Sequence, residues 1–420
     1  MSASTTSLDL PRLYQDLHAH PELSFQETRT AAIVAEQLRA FGYETTAGVG
    51  GTGVVGVLRN GKGGTALLRA DMDALPVLEQ TGLAYASTVR GVDGAGNDVP
   101  VMHACGHDMH VSCLLGAARE LAADRGAWAG TLMAVFQPAE ELGRGAQAMV
   151  DDMLFDRFGV PDVVMGQHVA PLPAGFLGLQ LGTAFAASDS LRVTLFGRGG
   201  HGSRPEATID PVVMAAATVL RLQTVISREI AGDEMAVVTI GALRAGTKEN
   251  IIPDSAELLI SVRSHDTGVR DRVLHAIGRI ARAEAAASGA TADPQIELTY
   301  SSPAVVNDPA AAVRTRPALA SVVGDNRIID PGPVTASEDV GLLATAAGAP
   351  CVFWLLGGGD PAPFEKATSA ADMMDVLRDL PSNHSPHYAP VIEPTLSIGI
   401  AALVNAAHTW LPAAPETASG

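Results

Sequence analysis

Along the N-terminal part of the chain, short apolar runs alternate with segments whose apolar residues recur at helical spacing. VVGVL (54–58), TALLRA (65–70), TLMAVF (131–136) and DVVMG (162–166) read as strands, because uninterrupted apolar runs of this length suit a sheet covered on both faces. The clearest helix lies in HDMHVSCLLGAARELAAD, where Val111, Leu114, Leu115, Ala118, Leu121 and Ala122 fall on one face. This alternation predicts an α/β fold with a mostly parallel central sheet. In such sheets ligands gather beyond the carboxyl ends of the strands. ADMDALP, QPAEE and Gln167-His168 each close a strand, so three polar clusters share one rim.

From about Ser190 the pattern changes to strand (LRVTLFG), helix (DPVVMAAATVLRLQTVISREI), strand (AVVTIGALR), strand (AELLISVRSH), helix (268–288) and strand (QIELTYS). This βαββαβ order predicts a ferredoxin-like domain. After Pro303 the α/β character returns, with GAPCVFWLLGGG as a buried strand and a glycine-rich turn, followed by a polar loop and a last helix. The expected organisation is a catalytic domain in two parts, 1–187 and 305–412, with an inserted domain at 188–304 and a disordered tail at 413–420.

Composition narrows the function. A chain of 420 residues exceeds the size at which one hydrophobic core stops growing, in agreement with two domains. A formal net charge of -18 argues against nucleic acid and anionic membranes as partners, since their phosphates would be repelled. No run approaches the roughly 20 apolar residues of a membrane helix, and MSASTTSLDLPRLYQDL lacks the basic and apolar regions of a secretory signal. Three cysteines, Cys105, Cys113 and Cys351, are too few for a disulfide framework. A cytoplasmic location is expected.

The chemistry concentrates in a few segments. MHACGHDMH holds His103, Cys105, His107, Asp108 and His110. Cys105 and His107 form the best ligand pair: two residues apart in an extended approach to a helix, their side chains point the same way. The helix N-terminus is expected to lower the thiol pKa towards the ligating thiolate. His103 and His110 read as supporting or structural residues. QPAEE sets Glu140 and Glu141 just past a strand, pointing in different directions, which suits one carboxylate on a metal and one taking a proton from water. His168 is expected to end the strand DVVMGQH as a ligand on the same rim. PSNHSPHYAP adds His384 and His387 in a proline-punctuated loop. The mixed thiolate, imidazole and carboxylate set suits zinc and also admits manganese, cobalt or nickel. A closed structural zinc site would use four ligands and leave Glu140 superfluous. In the small domain, FGRGGHGSRPE presents His201 on a glycine-flanked loop, and GALRAGTKENIIPDSAELLISVR offers Asn250 in a loop and Arg263 at a strand end. Arg263 reads equally as a bidentate partner for a carboxylate and as a surface arginine.

Taken together and in order, LHAHPELSFQE, RADMDALP, MHACGHD, QPAEE, GQH, GGHGSRP, Asn250-Ile251-Ile252-Pro253, ASED and NHSPHY resemble the aminoacylase and carboxypeptidase family of metallopeptidases. The resemblance is to its amidohydrolase branch of hippurate hydrolases, auxin-conjugate hydrolases and N-acyl-glutamine aminoacylases, and runs from about Leu17 to Tyr388. It implies a zinc-peptidase-like catalytic domain with an inserted lid that dimerises through its sheet. It also implies metal ligands at Cys105, His107, Glu141, His168 and His384, with Cys105 bridging two divalent metals in each subunit and Glu140 as general base. His201 would reach the active site of the other subunit and stabilise the oxyanion, while Asn250 and Arg263 would contact the substrate's acyl oxygen and carboxylate. Two positions depart from the pattern. Asp71 stands where the wider family has histidine, which leaves one-metal function open, and the closing loop offers His387 beside His384.

The expected activity is hydrolysis of small N-acyl amino acids to a carboxylic acid and a free amino acid by a homodimer. The alternatives are a dipeptidase or carboxypeptidase of the same family and a non-catalytic metal-binding protein, which the Glu140-Glu141 pair argues against.

Overall fold

The computed structural model describes residues 8–367 and 370–413. The chain forms two compact units, one running up to Gly182 and including Val306–Gly332 and the chain from Asp339 on, the other comprising Thr183–Val305 and Pro333–Glu338. The tail expected to be disordered lies, from residue 414 on, outside the described residues.

In the first unit, strands Gly130–Gln137, Thr65–Asp71, Val163–Pro173 and Cys351–Gly359 lie side by side and parallel. Successive residues such as Leu67 and Leu68, Met133 and Ala134, and Val164 and Met165 are all fully buried, so both faces of the sheet must be covered by helices. The hairpin Glu44–Val49 and Gly53–Asn60 extends one edge. Gly53–Asn60 runs antiparallel to Gly130–Gln137, so the run at 54–58 is a strand but lies outside the parallel set.

Three sequence expectations change here. Helix His107–Ala123 is buried all round from His107 to Ala118, not on one face, because Leu10–Ala19 and Thr395–Trp410 pack against it as well as the sheet. The strand carrying His168 continues to Pro173. Its neighbour Thr65–Asp71 makes its last pairing with it at Arg69 and Gly166, so His168 flanks the carboxyl end of the adjacent strand, not of its own. The segment read as a polar loop before the last helix contains the helix Ala370–Asp379.

The second unit is an antiparallel sheet in the order Ala236–Ala245, Ser255–Ser264, Ala187–Phe196, Gln295–Ser302. Helices Pro211–Thr224 and Thr267–Ala287 follow the first and third of its strands in the chain. Together these make the βαββαβ ferredoxin-like arrangement. Ser255–Ser264 alternates strictly, with Ala256, Leu258, Ile260 and Val262 buried in the core beneath the helices and Arg263 on the opposite face. Asp210 caps the first helix through its carboxylate on the Val212 N–H at 2.8 Å, and Asp266 caps the second through the Val269 N–H at 2.9 Å. No helix among the described residues is long and apolar enough to cross a membrane.

Candidate active site

The site begins where the chain turns into the buried helix. Gly106 has φ +82°, and a Cβ at this position would lie 2.4 Å from Cγ1 of Val169. Only glycine permits both the left-handed turn and this close approach. The turn brings Cys105 Sγ to 3.5 Å from Nε2 of His168. His168 donates Nδ1–H to the Val169 carbonyl at 2.8 Å, which fixes its tautomer and leaves the Nε2 lone pair facing the thiol. Burial lowers its pKa to about 4, so the imidazole is neutral.

The carboxylates enter from the turn after Gly130–Gln137. Glu141 Oε1 lies 3.8 Å from Nε2 of His107, Glu141 Oε2 lies 3.3 Å from Nε2 of His384, and Glu140 Oε2 lies 3.9 Å from Nε2 of His107. Ligand atoms of Cys105, His107 and His168, of Cys105, Glu141 and His384, and of His107, Glu140 and Glu141 each gather within 4.8 Å of one another. The three groups share members and form one continuous cluster. His384 reaches it from a loop in which Asn383 donates to the carbonyls of Cys105 and Val169, both at 3.1 Å, and the His384 N–H donates to Ala104 O at 2.8 Å. His387 instead donates its Nδ1–H to Gln80 O at 2.9 Å, away from the cluster. His201, Asn250 and Arg263 belong to the second unit. There His201 and Asn250 share a short loop ladder, with Gly202 N–H donating to Asn250 O at 2.8 Å. His201 is exposed and accepts the Ser203 N–H on Nδ1 at 3.1 Å. Arg263 pairs across its sheet with Ser188 and Val237, and its Nη1 is buried without a hydrogen bond.

The cluster fits a cation. Nε2 of His107 and Oε1 of Glu141 are buried without a hydrogen bond, an arrangement that costs free energy unless a partner is supplied. Hydrogen bonds with Cys105 and Glu141 raise the pKa of His384 to about 10: converging acidic groups hold a proton where a metal ion would neutralise them. The thiol behaves differently from the sequence expectation. Burial and the charge of Glu141 raise the Cys105 pKa, so the helix end does not generate the thiolate, and ionisation has to accompany cation binding.

Asp73, Arg69, Gln137 and Asp339 shape the site together with Asp71 and His110 but were not singled out from sequence. Asp73 Oδ1 lies 3.3 Å from Nδ1 of His107, on the ring edge opposite the cluster. The same carboxylate accepts the N–H groups of Glu140 and Glu141, each at 3.0 Å. Fully buried Arg69 donates to Asp71 at 2.7 Å, to Gln137 at 3.0 Å and to Asp339 at 3.0 Å. Burial raises the Asp71 pKa, but His107, His110 and Arg69 outweigh it and hold this carboxyl well below the usual range. His110 donates Nδ1–H to Asp71 at 2.5 Å and accepts the Val169 N–H on Nε2 at 2.7 Å. Both of its nitrogens are thus engaged. RADMDALP displayed these carboxylates, but nothing local to it names their partners.

An open α/β sheet with a thiol, imidazoles and paired carboxylates converging beside its strand ends defines a metal-dependent hydrolase of amide bonds. The chain belongs to the peptidase family M20/M25/M40, whose family model matches residues 67–381. It is 39% identical over 340 residues to the hippurate hydrolase of Campylobacter jejuni, covering 80% of this chain and 85% of that protein. It is 36% identical over 352 residues to thermostable carboxypeptidase 1 of Saccharolobus solfataricus, covering 82% and 85%. Among solved structures it resembles the Bacillus subtilis YXEP protein, a dinuclear metal-binding peptidase of the M20 family, with a TM-score of 0.75, 28% identity and coverage of 95% and 96%.

Proposed function

We propose that the enzyme hydrolyses N-acyl amino acids to a carboxylic acid and a free amino acid, using two divalent metals per subunit held by Cys105, His107, Glu141, His168 and His384. The observation that carries the reading is the division between adjacent carboxylates. Glu141 lies 3.8 Å from His107 and 3.3 Å from His384, linking the two imidazoles, whereas Glu140, 3.9 Å from His107, also gathers with Asp339. When bound, a divalent cation supplies Lewis acidity, acidifying water and polarising the scissile carbonyl. Glu140 takes the proton of the attacking water on its carboxylate and returns it to the leaving amine. Zinc suits the thiolate and imidazole donors, with manganese, cobalt and nickel as alternatives.

The inserted segment 188–304 acts as lid and dimerisation domain of a cytoplasmic homodimer. His201, whose Nδ1 accepts from Ser203, presents Nε2–H as a hydrogen-bond donor that stabilises the oxyanion across the dimer. Asn250 holds the acyl oxygen and Arg263 the substrate carboxylate. If mixing inactive Glu140→Ala and His201→Ala subunits restores no activity, the cross-subunit role is wrong.

The similarity to a hippurate hydrolase supports an acyl amino acid as substrate; the similarity to a carboxypeptidase supports a peptide. The holoenzyme should therefore be assayed on N-acyl amino acids, varied separately in acyl group and amino acid, beside free dipeptides. Faster turnover of the acylated series is expected. Equal or faster cleavage of dipeptides would assign a peptidase instead.

A further inference from the structure

The segment Glu22–Glu27 leaves a buried acid unexplained. Glu27 precedes helix Thr28–Ala40 at its N-cap, yet makes no side-chain bond to that helix. Glu22 serves the helix instead, accepting the N–H groups of Arg29 and Thr30, both at 2.8 Å. The Glu27 side chain, in a residue with no exposed surface, accepts the Ala139 N–H at 2.8 Å and the hydroxyl of Thr52. A buried carboxylate is expensive unless hydrogen bonds or an ion pair compensate its lost hydration. Ala139 has φ +49°, a left-handed conformation that costs a non-glycine residue free energy and persists only where its surroundings hold it.

Ala139 immediately precedes Glu140 and Glu141, whose own N–H groups are accepted by Asp73. Asp73 in turn accepts the hydroxyl of Ser24, from the same segment as Glu27, at 2.6 Å. Three consecutive N–H groups are therefore received by two buried carboxylates, and the Glu22–Glu27 segment reaches both ends of the arrangement. We propose that Glu27 is a positioning residue: by holding Ala139 in its left-handed conformation, it aims Glu140 and Glu141 at their separate tasks. The proposal rests on the reading of Glu140 as general base and Glu141 as metal ligand.

The test compares Glu27→Leu and Glu27→Gln in the full-length metal-loaded enzyme, measuring kcat, KM and bound metal per folded subunit. Leucine keeps the volume and removes the acceptor; glutamine keeps an acceptor for Ala139 and a donor for Thr52. Burial and the nearby charge of Asp73 raise the Glu27 pKa to about 7, so the neutral amide suits the site. Glu27→Leu is expected to lose about 100-fold in kcat with KM nearly unchanged, as misplacement of a reacting group does, and Glu27→Gln to recover most of it. Wild-type kcat in Glu27→Leu, or no recovery in Glu27→Gln, overturns the proposal. If Glu27→Leu does not fold, Glu27→Asp withdraws the acceptor by one methylene and must still lower kcat. A Glu140→Gln control separates the two readings. If it is fully active, the base assignment fails and the proposal with it; if it is inactive while Glu27→Leu is fully active, only the positioning role fails.

Discussion

Nδ1 of His107 faces Oδ1 of Asp73 at 3.3 Å while Nε2 of the same ring faces Glu141 at 3.8 Å. A carboxylate behind an imidazole fixes the ring and strengthens it as a ligand, and removing such a partner costs about 10- to 100-fold in metal affinity. Asp73→Ala should weaken metal binding by at least this much, because it also releases the N–H groups of Glu140 and Glu141. Competition with a chelator of known affinity measures the loss. Unchanged affinity would show that Asp73 does not orient the ligand.

A second prediction concerns stability and pH. His18 is fully buried and bonds to Asp108 through Nδ1 at 2.6 Å and to Glu79 through Nε2 at 3.1 Å. Burial opposes its charge, but the charge of Asp108 and the hydrogen bonds that Asp108 and Glu79 accept from the ring prevail and raise its pKa to about 10. A pKa raised in the folded state stabilises fully below the unfolded value, and this contribution is lost as pH rises through the folded value. Breaking such a buried pair costs about 3 kcal/mol. Urea unfolding of wild type and His18→Gln at pH 6, 8 and 10 should give a difference that is largest at pH 6 and shrinks by pH 10. A difference independent of pH would contradict a charged His18.

Gly106 supplies a third. Adding a methyl group places Cβ 2.4 Å from Val169 Cγ1 at φ +82°, combining left-handed strain with overpacking, a cost of about 3 kcal/mol. At Gly82, with φ +76° and nothing within 4 Å of the added atom, only the strain of about 1 kcal/mol remains. Denaturant unfolding of Gly106→Ala and Gly82→Ala should separate the two terms. Equal losses would mean that the segment before the helix moves to accept the methyl group.

Legibility in the sequence followed the range of the interactions. Cys105 and His107, or Glu140 and Glu141, are neighbours in the chain, and their chemistry is visible in one short motif. The buried strands and the βαββαβ unit were legible because periodicity reports burial directly. The length of the strand through His168 was not, since pairing with Cys351–Gly359 carries it past the end of Thr65–Asp71. Asp73, Glu27 and Asp339 escaped because their partners are backbone or side-chain groups far along the chain: Glu140 and Glu141, Ala139, and Arg69 respectively. No periodic signal marks a carboxylate destined for a distant N–H. The raised pKa of the Cys105 thiol is not legible because burial and the facing charge of Glu141 arrive only with the tertiary fold.

In the proposed reaction two adjacent carboxylates divide the work, Glu141 on metal and Glu140 on the proton. The most direct test of this division is the metal content and kcat of Glu140→Gln measured on the same preparation. Normal metal content is expected, with kcat reduced about 100- to 10,000-fold, the usual contribution of a general acid-base group. Normal metal content with near wild-type kcat would contradict the division.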